Sequence, residues 1–309
     1  MAAEIICIGQ ALADCIFRGW DKRSQLADSI DLRLGGDAFN KAVTAARLGH
    51  AVSLMAGVGD DIAGRALLSA AETEGILTSG CVISREHPTP VSALLVNDDG
   101  SRSSVLSAAH NIPFFTPSLV GADGARAVVL SSLFRPPFED PAALLSLTRR
   151  ARELGMTVYA DVKKPKRKTF SLSEFSPVLR NTDYLFPNRE EAEHYTGETV
   201  PERAGEAFLR TGVKNVIIKL GSHGALHMGE NGTFRVPAWG APVADAVGAG
   251  DAFASGFICG VLEGMDVRGS CELAAACAAI CIGSAGAVSG LKSRAQVDLW
   301  LKAPPVPRL

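Results

Sequence analysis

The chain has no excess of charge of either sign. Its 309 residues carry 31 basic and 33 acidic side chains, a net charge of −2, so there is no field to steer nucleic acid or an anionic membrane. No apolar run is long and uninterrupted enough to span a bilayer, so no membrane partner is expected. The opening "MAAEIICIGQALAD" has no basic region and runs directly into a strand-like stretch; it does not read as a signal peptide, and the expected location is cytoplasmic. There is no CxxC pair and no Cys/His cluster with zinc spacing among the seven cysteines, at 7, 15, 81, 259, 271, 277 and 281. Cys277 and Cys281, four apart on an expected helix, read as small buried hydrophobes, and the odd count fits a reducing compartment. No G-x-x-x-x-G-K-[ST] occurs, which excludes a P-loop protein, and "GVGDDIAG" (57–64) has its third glycine displaced from a dinucleotide loop. Linkers, repeats and low-complexity tracts are missing too, so one domain over 1–309 is expected.

What is present alternates. Strand-like runs at 5–9, 51–59, 126–132, 156–162, 183–188 and 215–221 are separated by helical patterns near 38–48, 60–74, 140–154, 189–196 and 201–211. Two long helices rich in small residues follow, about 249–264 and 267–284. Continuous Val/Ile/Leu strands between helices predict an α/β fold, a three-layer open sandwich around a mostly parallel central sheet. "TPVSALLVNDDGSRSSVL" (89–106) alternates around a turn signal, "NDDG", and reads as an exposed hairpin. "ALADCIFRGW" (11–20) reads as an edge strand, and together the two form a small β-sheet lid, about 11–34 and 88–110.

Two stretches carry chemistry. In "DAVGAGDAF" (245–253), glycines stand where a helix must begin, against their helix propensity. The first N–H groups of a helix lack internal partners and sit at its positive end, so Gly248, Ala249 and Gly250 would let a phosphoryl group rest on the backbone. Asp251 in the first turn then suits a base taking a proton from an attacking hydroxyl. The other reading is equally open on this stretch alone: Asp251 caps the helix, and Gly-Ala-Gly packs closely. In "LGGDAFNKAVTAARLG" (34–49), a Gly-Gly pair precedes Asp37 and Asn40, acceptor and donor groups suited to vicinal hydroxyls. Here the alternative is an N-terminal cap by Asp37 over an Ala-rich packing face.

Taken together, these stretches resemble the two signatures of the ribokinase-like (PfkB) carbohydrate kinases. "GGDAFNKAVTAARLG" with Gly59 beyond it resembles the N-terminal signature, and "DAVGAGDAFASGF" the C-terminal one, usually D-T-x-G-A-G-D. "CIGQALAD" (7–14), "NREE" (188–191) and "KLGSHG" (219–224) fall in the family's order, so the resemblance covers essentially the whole chain. It implies a phosphotransferase with an alcohol group as acceptor, using ATP and Mg²⁺ on a small sugar, with K⁺ as a further candidate. By the same resemblance Asp251 is the base, and Gly248, Ala249 and Gly250 form the anion hole. Asn188 and Glu191 organise Mg²⁺ and its waters, and Asp14, Gly36, Asp37 and Asn40 hold sugar hydroxyls. Lys219, Gly221, Ser222 and Gly224 line the ATP site, with adenine between that loop and the helix near 277–284. In relatives such lids close on sugar or pair two subunits, which implies a homodimer through the lid.

The chain departs from the family at two positions. Ala246 stands where Thr or Ser is usual, beside Asp245, which in relatives helps hold a monovalent cation; the "GSAGAVSG" loop (283–290) still offers carbonyls. Asp37 stands where ribokinases proper often carry a basic residue, which favours a neutral polyol over an anionic substrate. Asp161, at a strand's carboxyl end, is a further substrate-binding candidate, because ligands of open α/β sheets gather there. Arg135 in "SSLFRPPFED" reads equally as a crevice residue or a surface one, and the basic run 163–168 reads as a solvated loop. Asn111 is a weak candidate for substrate contact, and His110, His194, His223 and His227 read as ordinary residues. The alternatives to a sugar kinase are a nucleoside kinase of the same superfamily and a non-catalytic sugar-binding sensor. Low aromatic content, 6%, speaks against the first, and the retention of Asp251, Asn188 and Glu191 against the second.

Overall fold

The computed structural model describes residues 2–21, 23–96, 102–165 and 170–302. In chain order its first part comprises β1 (Ile5–Gly9), β2 (Leu12–Arg18), β3 (Ser29–Gly35), α1 (Asp37–Arg47), β4 (Val52–Met55), β5 (Gly57–Gly59), α2 (Ile62–Thr73), β6 (Val82–Ser84), β7 (Val91–Val96) and β8 (Arg102–Leu106). The middle holds β9 (Ala127–Leu133), α3 (Pro141–Glu153), β10 (Thr157–Val162), α4 (Leu172–Leu179), β11 (Tyr184–Phe186), α5 (Arg189–Thr196) and α6 (Pro201–Leu209). The remainder is β12 (Asn215–Lys219), β13 (Ala225–Gly229), β14 (Gly232–Val236), α7 (Ala249–Leu262), α8 (Val267–Ile282) and α9 (Arg294–Lys302).

The main sheet has the order β14-β13-β12-β11-β10-β9-β1-β4, parallel from β12 to β4 and closed at the other edge by the antiparallel β13–β14 hairpin. Its parallel strands are buried on both faces, successive side chains pointing to opposite sides. Ile5 and Cys7 join Val129, Tyr159 and Ile217 against α1, α7 and α8. Ile6 and Ile8 join Val128, Val158 and Ile218 against α3, α4 and α6. Helices therefore cover both faces, and the carboxyl ends of the parallel strands open at one edge.

Over that edge lies the lid, a four-stranded sheet in the order β3-β2-β7-β8. The expected edge strand 11–20 is β2, and it is interior: β3 pairs on its other side, an alternating stretch, "SIDLRLG", that the sequence reading passed over. The expected run 51–59 is also two strands. β4 stays in the main sheet, and β5 leaves it to pair with β6. The β13–β14 hairpin, α4 and α9 were likewise not expected. The "NDDG" turn (97–100) and positions 166–168 of the basic run lie outside the described residues.

Candidate active site

A cleft of about 790 Å³ runs between lid and sheet edge, within the range of small-molecule sites. The start of α7 enters it. Gly248 is the N-cap at φ 84°, a left-handed conformation, and a Cβ there would stand 2.4 Å from the Ala287 carbonyl oxygen. Glycine is therefore demanded by the backbone itself at this position. Ala249 and Gly250 follow with no bulk toward the cleft, and Lys219 Nζ would stand 3.4 Å from a Cβ on Gly250. A helix N-terminus with an ammonium beside it is a site for anionic oxygens.

Asp251 is 6% exposed and lines the same cleft. Asn40 Nδ2 donates to its Oδ2 at 2.9 Å, and Lys41 Nζ donates to Oδ1. Lys41 is 1% exposed, and its ammonium also lies 2.8 Å from Asp161 Oδ2. Asp161, at the end of β10 as expected, pairs with Lys219 at 2.6 Å. Asp37 takes a hydrogen bond from Ser132 Oγ and pairs with Lys163 at 3.4 Å. Three aspartates and three lysines thus form a charge-balanced floor, in which each buried charge has a partner.

The charges settle accordingly. Burial raises the Asp251 carboxyl above the ordinary carboxylate range, and the Lys41 ammonium opposes that rise. Burial works against the Asp161 charge, but Lys219 and Lys41 hold its carboxyl well below that range. Burial likewise opposes the charge on Lys41, and Asp161 and Asp251 outweigh it, keeping the ammonium protonated. Asp37 is also held low, Lys163 and Lys41 outweighing its burial. Its charge is therefore already matched by Lys163, and the inference from Asp37 alone to a neutral polyol loses its basis.

Above this floor, Asp14 on β2 faces the cleft from the lid, its carboxyl raised by burial and hydrogen-bonded to Ser92. A Cβ on Gly35 would stand 3.0 Å from Asp14 Oδ2 and 3.7 Å from Asn40 Oδ1, so both polar groups converge on one small space. Asn40 Oδ1 is buried without a hydrogen-bond partner among the described residues. Gly36 explains itself structurally: at φ 103° its Cβ would meet the Gln10 carbonyl oxygen at 2.5 Å. Arg135 and His110 line this end, Arg135 held by its Nε donating to the Lys164 carbonyl at 2.7 Å.

At the other end lie Gly221, Ser222 and Gly224 beside Trp239, with Ala275, Ala279 and Ile282 of α8 as the apolar wall. Asn188 and Glu191 sit between the ends as the capping box of α5: Glu191 N–H donates to Asn188 Oδ1 at 2.8 Å, and Asn188 N–H to Glu191 Oε2 at 2.8 Å. Lys219 lines the same cleft beside the start of α7, where its ammonium pairs with Asp161. Asp245 is tied between its own turn and the 283–290 loop, accepting from Val247 N–H and Gly286 N–H, each at 3.1 Å.

Lys41 was not singled out in the sequence, yet a signal existed. Ala38, Ala42 and Ala45 mark the buried stripe of α1, and position 41 falls on it; a lysine there must have buried partners. Lys163, expected in a solvated loop, instead lines the cleft and pairs with Asp37, and Trp239, which no motif marks, lines it as well.

The pfkB family carbohydrate kinase pattern matches residues 2–294. The chain belongs to that family. It is 30% identical over 245 residues to an uncharacterised sugar kinase of Archaeoglobus fulgidus, covering 79% of this chain and 96% of that one. It is 28% identical over 270 residues to the ribokinase of Lactococcus lactis, covering 87% and 85%. Among solved structures, Arabidopsis thaliana ribokinase complexed with ribose and ATP superposes with a TM-score of 0.86 at 23% identity, covering 98% of this chain and 100% of that one. The fold is thus ribokinase-like, and the chain is a sugar kinase of the pfkB family.

Proposed function

We propose that the protein transfers the γ-phosphoryl group of ATP to a primary hydroxyl of a small sugar, with Asp251 as general base. The observation that supports this most is the position of the Asp251 carboxylate in the first turn of α7, beside backbone N–H groups with no bulk over them. The hydroxyl proton passes to Asp251, the hydroxyl oxygen bonds to the γ-phosphorus, and the bond to the ADP oxygen breaks. The N–H groups of Gly248, Ala249 and Gly250 and the Lys219 ammonium face the charge in transfer. Lys41 keeps burial from neutralising the base, and Asn40 orients it. Asp14, Gly36, Asp37 and Asn40 form the sugar end, Asp161 supports it from beneath through Lys41 and Lys219 rather than lining the cleft as expected, and Gly221, Ser222 and Gly224 form the nucleotide end. The whole chain works as one kinase unit under its lid.

Asn188 and Glu191 offer oxygen donors suited to Mg²⁺ through water, since each keeps a cleft-facing position while capping α5. When bound, Mg²⁺ supplies charge neutralisation on the phosphate oxygens. The sugar end favours a sugar over a nucleoside: among the described residues, Gln10, Asp14, Ser92, His110 and Arg135 give polar contacts beside Leu12 and Leu106, and no aromatic side chain lies with them.

A homodimer through the lid is also proposed. Leu32, Cys15, Ala93 and Val105 stand in one cross-strand row, with Ile30, Phe17 and Leu95 in the next on the same face. Ile30, Leu32 and Val105 are 64%, 67% and 62% exposed, an apolar face turned away from the cleft.

The test is ADP release from MgATP across aldoses, ketoses, deoxy-keto acids and nucleosides. Turnover confined to one sugar class supports the reading. Preferred turnover of nucleosides overturns it in favour of a nucleoside kinase, and binding of sugar without any release overturns it in favour of a sensor.

A further inference from the structure

Arg33 lies on the cleft-facing side of β3, opposite Asp14 in register, while its neighbours Ile30 and Leu32 face solvent. Its Nη2 is 3.6 Å from Asp31 Oδ2, and its Nη1 reaches across to 3.9 Å from Asp245 Oδ2. That Nη1 is buried without a hydrogen-bond partner among the described residues. Residue 286 beside it is a glycine, and a Cβ there would stand 2.6 Å from Nη1 where the guanidinium now sits. Asp245 also accepts from the Val247 and Gly286 N–H groups, so its carboxylate meets positive or donor groups on three sides.

This arrangement does not fit a monovalent cation held on Asp245. A guanidinium and a metal cation compete for one carboxylate, and Ala246 supplies no hydroxyl to add to the cation's ligands. We propose instead that Arg33 is a built-in cation. Carried by the lid strand, it balances Asp245, steadies the Val247–Gly248 turn that leads into the anion hole, and makes the kinase indifferent to K⁺. Because Arg33 belongs to the lid and Asp245 to the loop before α7, the charge is delivered only when the lid lies over the cleft. Lid position and anion-hole geometry are thereby coupled through one contact. Arg33 touches no reacting atom; it is a positioning residue.

The proposal rests on the kinase reading above, so its test includes a measurement that needs no turnover. Melting temperatures of the wild type, Arg33→Gln and Arg33→Lys are compared in potassium and in tetramethylammonium chloride at matched ionic strength, with MgATP. The expected result is no K⁺-specific shift for the wild type or Arg33→Lys, and a K⁺-specific rise for Arg33→Gln. With a turned-over sugar, kcat of Arg33→Gln should fall about tenfold in tetramethylammonium and recover in part with K⁺. A K⁺-specific rise in wild-type melting temperature, or several-fold K⁺ activation of the wild type, overturns the proposal. So does an Arg33→Gln protein that matches the wild type in both salts, or one whose loss is shared by Arg33→Lys and unmoved by K⁺. If Arg33→Gln does not fold, the wild-type salt comparison decides alone. Absence of turnover on every sugar would sink the kinase reading while leaving the melting comparison to judge Arg33.

Discussion

Lys41 and Asp251 share one buried contact, and the two side chains make opposite demands on pH. Because the Asp251 carboxyl lies above the ordinary carboxylate range, kcat/KM should fall on the acid side as pH drops through that raised value. Removing Lys41 takes away the group that opposes the rise. The acid limb of Lys41→Met should therefore move to higher pH, read from a pH profile of kcat/KM. An unmoved limb would mean that Lys41 only fills space. The same substitution should cost about 3–5 kcal/mol of stability, because Asp161 and Asp251 lose a partner inside the protein. Asp161 has the opposite sign: its folded carboxyl is held low, so its contribution is present above the ordinary range and is lost as pH falls toward the folded value.

At the scale of elements, the proposed function places its chemistry on two helix starts, and a role in chemistry can be separated from one in folding. Asn188→Ser keeps a capping oxygen for α5, so its melting temperature should stay within about 2 °C of the wild type, while the Mg²⁺ concentration for half-maximal rate rises. Asn188→Ala should lose about 1 kcal/mol of stability as well. Gly248→Ala forces a side chain into φ 84° and onto the Ala287 backbone, at a cost of about 1–3 kcal/mol, with a fall in kcat larger than any change in KM for ATP. Equal stability and rate in Gly248→Ala would contradict the geometry given for the anion hole.

Element by element, much of this was legible. The alternation of Val/Ile runs with helical periods located the main sheet, and the boundaries of α5 and α1 fell within a residue of expectation. The glycines before α7 were legible too, although what the structure shows at Gly248 is the demand of its own backbone. Less legible was what depends on distant partners. Whether β2 lies at an edge is decided by β3, which pairs from outside it. The match between Asp37 and Lys163 joins residues more than a hundred positions apart, and no local spacing announces it. The buried lysine in the stripe of α1 was visible in the sequence, but its partners were not.

For the whole molecule, the lid has two unlike faces: Asp14, Arg33 and Ser92 toward the cleft, and an apolar face of Phe17, Ile30, Leu32 and Val105 away from it. If two chains pair through that outer face, Leu32→Lys should convert a dimer to a monomer in light scattering coupled to gel filtration, with the fold retained by circular dichroism. A wild type that elutes as a monomer would contradict the pairing while leaving the chemistry of the cleft untouched. Closure over the cleft matters in either case, since water competes with the sugar hydroxyl as phosphoryl acceptor.

The most direct measurement of the central claim is ADP release by the wild type beside Asp251→Asn, on whichever sugar turns over fastest, with ATP binding measured in both. A fall in kcat/KM of about a thousandfold in Asp251→Asn, with ATP still bound, is the predicted result. Equal turnover in the two proteins would contradict it and leave Asp251 as nothing more than a helix-capping carboxylate.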